Sequence, residues 1–182
     1  MPRVPSVVRE DLLEEDRSAY DEIAGSRGEV GGPFPVLLNS PETARRIAHL
    51  GTYIRFESAL PLWVRELAIL ITAREWDCQF EWTYHEPMAR KAGVRDGSIT
   101  TIRDRKAPEG LDPEEKRVAR YCLEVLKEHR VSEATFQRAL QHFGDKGITE
   151  LTATLGYYSM LACVLNALEV EPEPGTELLL PL

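Results

Sequence analysis

The stretch ELAILITAREWDCQFEWTYH, residues 66–85, decides the fold. Its first half lies in a segment, residues 61–76, that is apolar on nearly every face between Leu67 and Ala73. Such a pattern predicts a helix buried inside a bundle. Asp77 is a suitable N-cap for a second helix over residues 78–92, which Gly93 would end. The stretch therefore predicts two consecutive helices, the first of them in the core.

Helical periodicity also dominates the rest of the chain, and no segment shows convincing strand alternation. Further helices are predicted at residues 11–26, 41–58, 98–104, 113–128, 132–144 and 148–168. Two prolines and three glycines in residues 28–38 predict a loop without regular structure. The predicted fold class is all-α: a single-domain helical bundle of seven or eight helices.

The chain is expected to divide into three parts. Residues 1–40 would form an N-terminal helix and a Pro/Gly loop, residues 41–170 the main helical domain, and residues 171–182 an extended tail. At 182 residues one domain is the expectation.

Composition excludes several classes of protein. An apolar fraction of 43% is ordinary for a globular core, and neither a spanning segment nor a signal peptide is recognisable in the sequence. A net charge of −8 with scattered Lys and Arg argues against nucleic acid as a partner. Three cysteines are too few for a disulfide scaffold. We expect a cytoplasmic protein with neither membrane nor nucleic acid as partner.

Four side chains in the deciding stretch could carry chemistry. Cys78, Glu81 and His85 stand at i, i+3 and i+7, which places them on one face of their helix. Glu66 lies on the preceding apolar helix, where loss of solvation would favour proton transfer. Unpaired amides near the helix start would favour a thiolate at Cys78, whereas Asp77 and Glu81 would oppose it. The sign of the net effect is open.

These residues resemble the carboxymuconolactone decarboxylase family, which is related to the alkylhydroperoxidase D (AhpD)-type thiol peroxidases. In the peroxidase branch a Glu precedes a CxxCxxxH helix by twelve residues, and here Glu66 precedes Cys78 by twelve. Glu81 stands where the second cysteine belongs, so the pattern is CxxExxxH. KAGV at residues 91–94 and GYYSMLACVLNAL at residues 156–168 extend the similarity, which spans about residues 41–168.

The resemblance implies an AhpD-like fold and a cofactor-free lyase or isomerase acting on a small lactone or keto-acid. His85 would be the acid/base group, Glu81 would orient its imidazole, and Glu66 would be a second proton carrier. The resemblance implies no cofactor and no metal, and it implies a homo-oligomer, a trimer or hexamer. Arg55, Arg65 or Arg74 could bind a substrate carboxylate.

Two other functions stay open. A thiol peroxidase would use Cys78 against a peroxide, with Cys122, Cys163 or an external thiol resolving the sulfenic acid. A non-catalytic helical assembly module would keep the fold alone.

Several of the same residues also have structural interpretations. Cys122 and Cys163 are predicted to be core residues. Tyr84, Tyr157, Tyr158 and the three tryptophans are predicted to belong to the core or a subunit interface. His49, His129 and His142 are predicted to be solvated.

Overall fold

The computed structural model describes residues 1–181, and within them the chain forms eight α-helices and no strand. The helices are α1 Arg17–Arg27, α2 Phe34–Leu37, α3 Pro41–Thr52, α4 Leu62–Glu75, α5 Gln79–Ala92, α6 Asp96–Arg103, α7 Pro113–Leu123 and α8 Glu133–Ala167. Short π-helical turns at Tyr53–Glu57 and Glu124–Glu128 follow α3 and α7. The prediction of an all-α bundle is confirmed.

The chain forms two compact units. The first comprises residues 1–58 and 164–171. Within it α3 packs against α1 and α2. Helix α3 begins where predicted: Pro41 fills the first helical position, where no N–H is needed, after Ser40. Buried apolar side chains such as Ile23 and Leu38 fill this unit.

Among the described residues, the second unit comprises residues 59–163 and 172–181 and contains α4 to α7 with most of α8. Helix α4 is buried over most of its length, as its all-round apolar pattern predicts, and packs along α5 as well as against α7. Gly93, at φ 98°, ends α5 in the left-handed conformation that favours glycine. The Asp112 side chain accepts the N–H of Glu114 and caps α7.

Three local predictions were wrong. Residues 28–38 are not without regular structure, because Phe34–Leu37 form a one-turn helix with Pro33 preset near its start. The segment 11–26 becomes helical only at Arg17, after two short 3-10 turns. The N-cap of α5 is Cys78 rather than Asp77, which adopts φ 47° in the turn before the helix.

Helix α8 merges the two helices predicted at residues 132–144 and 148–168. Gly144 interrupts it at φ 65° and ψ 178°, so the predicted break exists as a kink. By length and composition alone α8 could cross a membrane, but 56% of its most apolar window is buried, as in the core helix of a folded domain.

The C-terminal tail lies against α5 in the second unit. The main-chain N–H of Leu179 donates to the Thr83 hydroxyl at 3.4 Å, and the Leu180 side chain is buried in the core cluster. Residues 171–181 contain no regular helix or strand. The predicted tail, 171–182, also includes Leu182, which lies outside the described residues.

Candidate active site

A carboxylate–imidazole–carboxylate chain is buried between α4 and α5. His85 Nδ1 lies 2.8 Å from Glu66 Oε2, and His85 Nε2 lies 3.3 Å from Glu81 Oε2. The exposed fractions of Glu66, Glu81 and His85 are only 2%, 4% and 2%. The structure therefore brings together the three groups that the sequence singled out as acid/base residues.

The position of each of these three side chains follows from the helix that carries it. Glu66 lies in the buried middle part of α4, where it is surrounded by apolar residues of the same helix. Glu81 and His85 are one helical turn apart on α5, a spacing that lets a carboxylate reach an imidazole. Because α4 packs along α5, the Glu66 carboxylate approaches the opposite nitrogen of the same ring.

The geometry determines the protonation of His85. A neutral imidazole carries one N–H and one acceptor nitrogen, so it can donate to only one of two carboxylates. The protonated ring can donate to both Glu66 and Glu81. Burial works to lower the pKa of His85, but its hydrogen bonds to Glu66 and Glu81 and their charges outweigh burial and raise the pKa above its usual value. The two carboxylates therefore favour the protonated form of the ring.

Cys78 is close in sequence to this chain but chemically different. It is fully buried, and burial is the largest cause that raises the pKa of its thiol, to about 12. The N–H groups of Phe80 and Glu81 oppose that effect, as the start of a helix should, while the Glu81 charge adds to it. The open question of sign is answered: the site disfavours a Cys78 thiolate.

The other two cysteines differ in their exposure to solvent. Cys122 is buried, as predicted, and burial raises the pKa of its thiol. Cys163 is exposed on α8, so the prediction that it belongs to the core was wrong. Helix α8 has one face open to solvent, and Cys163 lies on that face with Gly156 and Ala153. Cys163 also contributes to raising the pKa of Cys78, so the two thiols lie within electrostatic range of each other.

Two tyrosine rings border the imidazole. Tyr158 packs perpendicular to His85 with ring centroids 5.3 Å apart, and Tyr84 packs edge-on at the same distance. Tyr158 is buried, whereas Tyr84 is 53% exposed. The sequence did not place Tyr158 beside His85, because its contact depends on how α8 packs against α5, which local periodicity does not encode. Its only signal was the aromatic pair in GYYSMLACVLNAL.

Of the three candidate arginines, Arg74 forms an ion pair within the protein. Its Nη1 lies 2.6 Å from Asp77 Oδ1, and Asp77 also binds Arg105. This network holds the turn that precedes Cys78, in which Asp77 has a positive φ. Arg74 therefore serves the turn between α4 and α5.

The described residues offer no cluster of side chains suited to bind a metal ion. No three His, Cys, Asp or Glu side chains within residues 1–181 are arranged as they would be to hold a metal ion. In the site itself, both nitrogens of His85 already face carboxylates.

The fold places this chain among all-helical, AhpD-like structures. One solved structure of that class matches over 95% of this chain and 93% of its own, with a TM-score of 0.76 and 20% identity. That structure is the alkylhydroperoxidase AhpD core of an uncharacterized peroxidase-related protein from Ralstonia eutropha JMP134. No curated protein matches the sequence.

Residues 41–124 match the model of the carboxymuconolactone decarboxylase family, somewhat less than half of the 182-residue chain. The resemblance predicted from the sequence is thereby confirmed over residues 41–124. The matched segment contains Glu66, Cys78, Glu81 and His85, and it runs from the start of α3 to the end of α7.

Proposed function

We propose that this chain is a cofactor-free acid/base enzyme, a lyase or isomerase acting on a small lactone or keto-acid, with His85 as the proton-transfer group. The observation that carries the proposal is the buried imidazole with a carboxylate at each ring nitrogen. A surface Glu–His pair one turn apart is common and weak. A second carboxylate from another helix, with all three groups buried, is costly to maintain and is typical of a working site.

The raised pKa of His85 favours proton delivery as its first act. In a decarboxylation, the bond from carbon to the carboxylate breaks, carbon dioxide leaves, and the electron pair stays on the substrate as an enolate. The His85 imidazolium then gives its proton to that carbon and becomes neutral. Glu66 or Glu81 relays a proton from solvent to restore the imidazolium. The net change replaces the carboxylate group by hydrogen, at the cost of one proton.

The same groups could run an isomerisation. Neutral His85 would take a proton from the carbon beside a carbonyl, and the electron pair would move onto the carbonyl oxygen. The imidazolium would then return the proton to a different carbon. Burial strengthens each of these electrostatic steps because little water is present to screen them.

The test is turnover of a panel of carboxylated lactones and 3-keto acids, followed by release of carbon dioxide and by exchange of deuterium from solvent. His85→Ala should lower the rate about 10²–10⁴-fold, the usual contribution of one acid/base group. Cys78→Ala should keep much of the activity. His142→Ala, which removes an exposed histidine on α8, is the matched control. Turnover that survives His85→Ala within a few-fold would contradict the proposal.

A thiol peroxidase remains the second candidate because Cys78 has another thiol, Cys163, within electrostatic range. Cys78 would attack the peroxide, releasing an alcohol or water and forming a sulfenic acid. Cys163 would then displace water to give a disulfide, and an external dithiol would reduce it. The raised pKa of Cys78 counts against this route, since roughly one thiol in 10⁵ would be ionised at pH 7.

The two enzymes are separated by assaying peroxide reduction with a dithiol donor, wild type beside Cys78→Ser. Turnover that disappears in the variant would place the peroxidase first. No turnover in either protein would leave the acid/base proposal in place. An assembly module without chemistry predicts that His85→Ala and Cys78→Ser change neither assay.

We also propose that the chain forms a homo-oligomer, a trimer or hexamer. Large apolar side chains of the second unit are substantially exposed, with Leu62 at 49%, Trp76 at 42% and Tyr84 at 53%. Exposed apolar surface is one of the features found at protein interfaces. The molar mass of the purified chain, measured by light scattering, tests this proposal.

A further inference from the structure

The second unit has an open cleft that lies apart from the groups of the His85 site. It has a volume of about 410 Å³, within the range of about 300–1,000 Å³ usual for small-molecule sites. Its cationic lining comes from α7 and from the first turns of α8: Lys116, Arg117, Arg120 and Arg138. Three of these charges come from the stretch KRVAR at residues 116–120, and the fold adds Arg138 from α8.

The cleft has an excess of positive charge. Its one acidic lining residue is Glu109, which accepts from Arg120 Nη2 at 3.1 Å. Lys116 Nζ donates to the main-chain carbonyl of Glu109 at 3.3 Å. Within residues 1–181, Arg117 and Arg138 form no hydrogen bond or ion pair. Two arginines without a partner among the described residues therefore line the same cleft.

The remainder of the lining is largely apolar. Leu111 is 8% exposed and Pro113 lies beside it, so part of the cleft surface is dry and hydrocarbon-like. The buried Thr135 hydroxyl donates to Glu124 and is not available to a ligand. The cleft therefore offers guanidinium and ammonium groups around an apolar patch.

We propose that this cleft binds a small organic polyanion that carries at least two phosphate or carboxylate groups. Arg117 on α7 and Arg138 on α8 would each bind one anionic group, because a guanidinium presents paired N–H donors that match carboxylate and phosphate oxygens. A long nucleic acid is disfavoured by the net charge of the chain. The site is independent of the acid/base proposal, since it shares no residue with it.

The test is calorimetric titration of the full-length chain with pyrophosphate and with citrate at low ionic strength. Arg117→Gln/Arg138→Gln should weaken binding at least about tenfold, because two charge-assisted hydrogen-bonding groups are lost. Lys91→Gln/Arg130→Gln is the matched control. It removes an equal number of positive charges from exposed positions outside the cleft and should change affinity less than about twofold. Circular dichroism confirms that each variant is folded.

Tighter binding of pyrophosphate would indicate a phosphorylated ligand, and tighter binding of citrate a polycarboxylate; both support the proposal. Equal weakening in the two double variants would show general charge attraction and overturn it. Failure of both probes to bind the wild type at millimolar concentration would also overturn it. Binding of polyglutamate in place of both probes would do so as well, because the cleft would then be a protein-docking surface.

Discussion

The His85 site and the cationic cleft show two opposite ways of arranging charge in one unit. In the site, Glu66, Glu81 and His85 are nearly inaccessible, and each has a partner within the protein. In the cleft, Arg117 and Arg138 are reached by solvent and have no partner among the described residues. A buried charge needs a partner within the protein, whereas an exposed charge is solvated by water and stays available to a ligand. The site should therefore be sensitive to substitution and pH, and the cleft to salt and added anions.

The largest expected effect is a difference in alkylation rate between the buried Cys78 and the exposed Cys163. Cys78 should react with iodoacetamide roughly 10³-fold more slowly than an ordinary exposed thiol, because its pKa is raised to about 12. Cys163 is exposed and should be labelled first. Peptide mass mapping at pH 7.5 after timed alkylation measures both rates, with labelling in urea as the control. Equal labelling of the two cysteines in the folded protein would contradict the claim that Cys78 is buried and Cys163 is exposed to solvent.

The second prediction is that substitutions in the His85 site and in the cleft differ in their effect on the free energy of unfolding. Glu66→Gln removes a buried carboxylate from His85 Nδ1 and should lower the free energy of unfolding by about 1–3 kcal/mol. Arg117→Gln/Arg138→Gln should change it by no more than about 0.5 kcal/mol, as surface substitutions usually do. Urea unfolding at pH 6 measures both. A cleft variant that destabilised the protein as much as Glu66→Gln would show that the two arginines have a structural role.

The smallest effect is the pH dependence of stability. The pKa of His85 is raised in the folded protein, so its contribution is fully present below the unfolded value of about 6.5. That contribution is lost as pH rises through the folded value. The difference in urea midpoint between wild type and Glu66→Gln should therefore shrink from pH 6 to pH 9. A difference that grew over this range would mean that His85 is neutral at rest.

Much of the site could be predicted because its chemistry is local. The i and i+4 spacing of Glu81 and His85 fixes their contact within one helix, and the apolar surroundings of Glu66 predict its burial. The wrong position for the α5 N-cap has a physical cause that spacing does not carry. Asp77 is held in a left-handed turn by Arg74 and Arg105, and Arg105 is 28 residues away in sequence.

The remaining errors also involve contacts between distant segments. Cys163 lies in an apolar sequence, but the face of α8 that carries it is open to solvent in this chain. Tyr158 reaches His85 only through the packing of α8, 73 positions later in the sequence. The cationic cleft is only partly visible in the sequence, because Lys116, Arg117 and Arg120 are neighbours on α7 whereas Arg138 joins them only in the fold.

The most direct test of the account is the protonation state of His85, read from the ¹⁵N chemical shifts of its ring nitrogens by NMR between pH 5 and pH 9. We predict that both nitrogens stay protonated well above pH 6.5 in the wild type, and that Glu66→Gln and Glu81→Gln each lower the titration midpoint. A wild-type His85 that titrates at or below pH 6.5, or that is neutral throughout, would contradict the claim that two carboxylates hold a resting imidazolium.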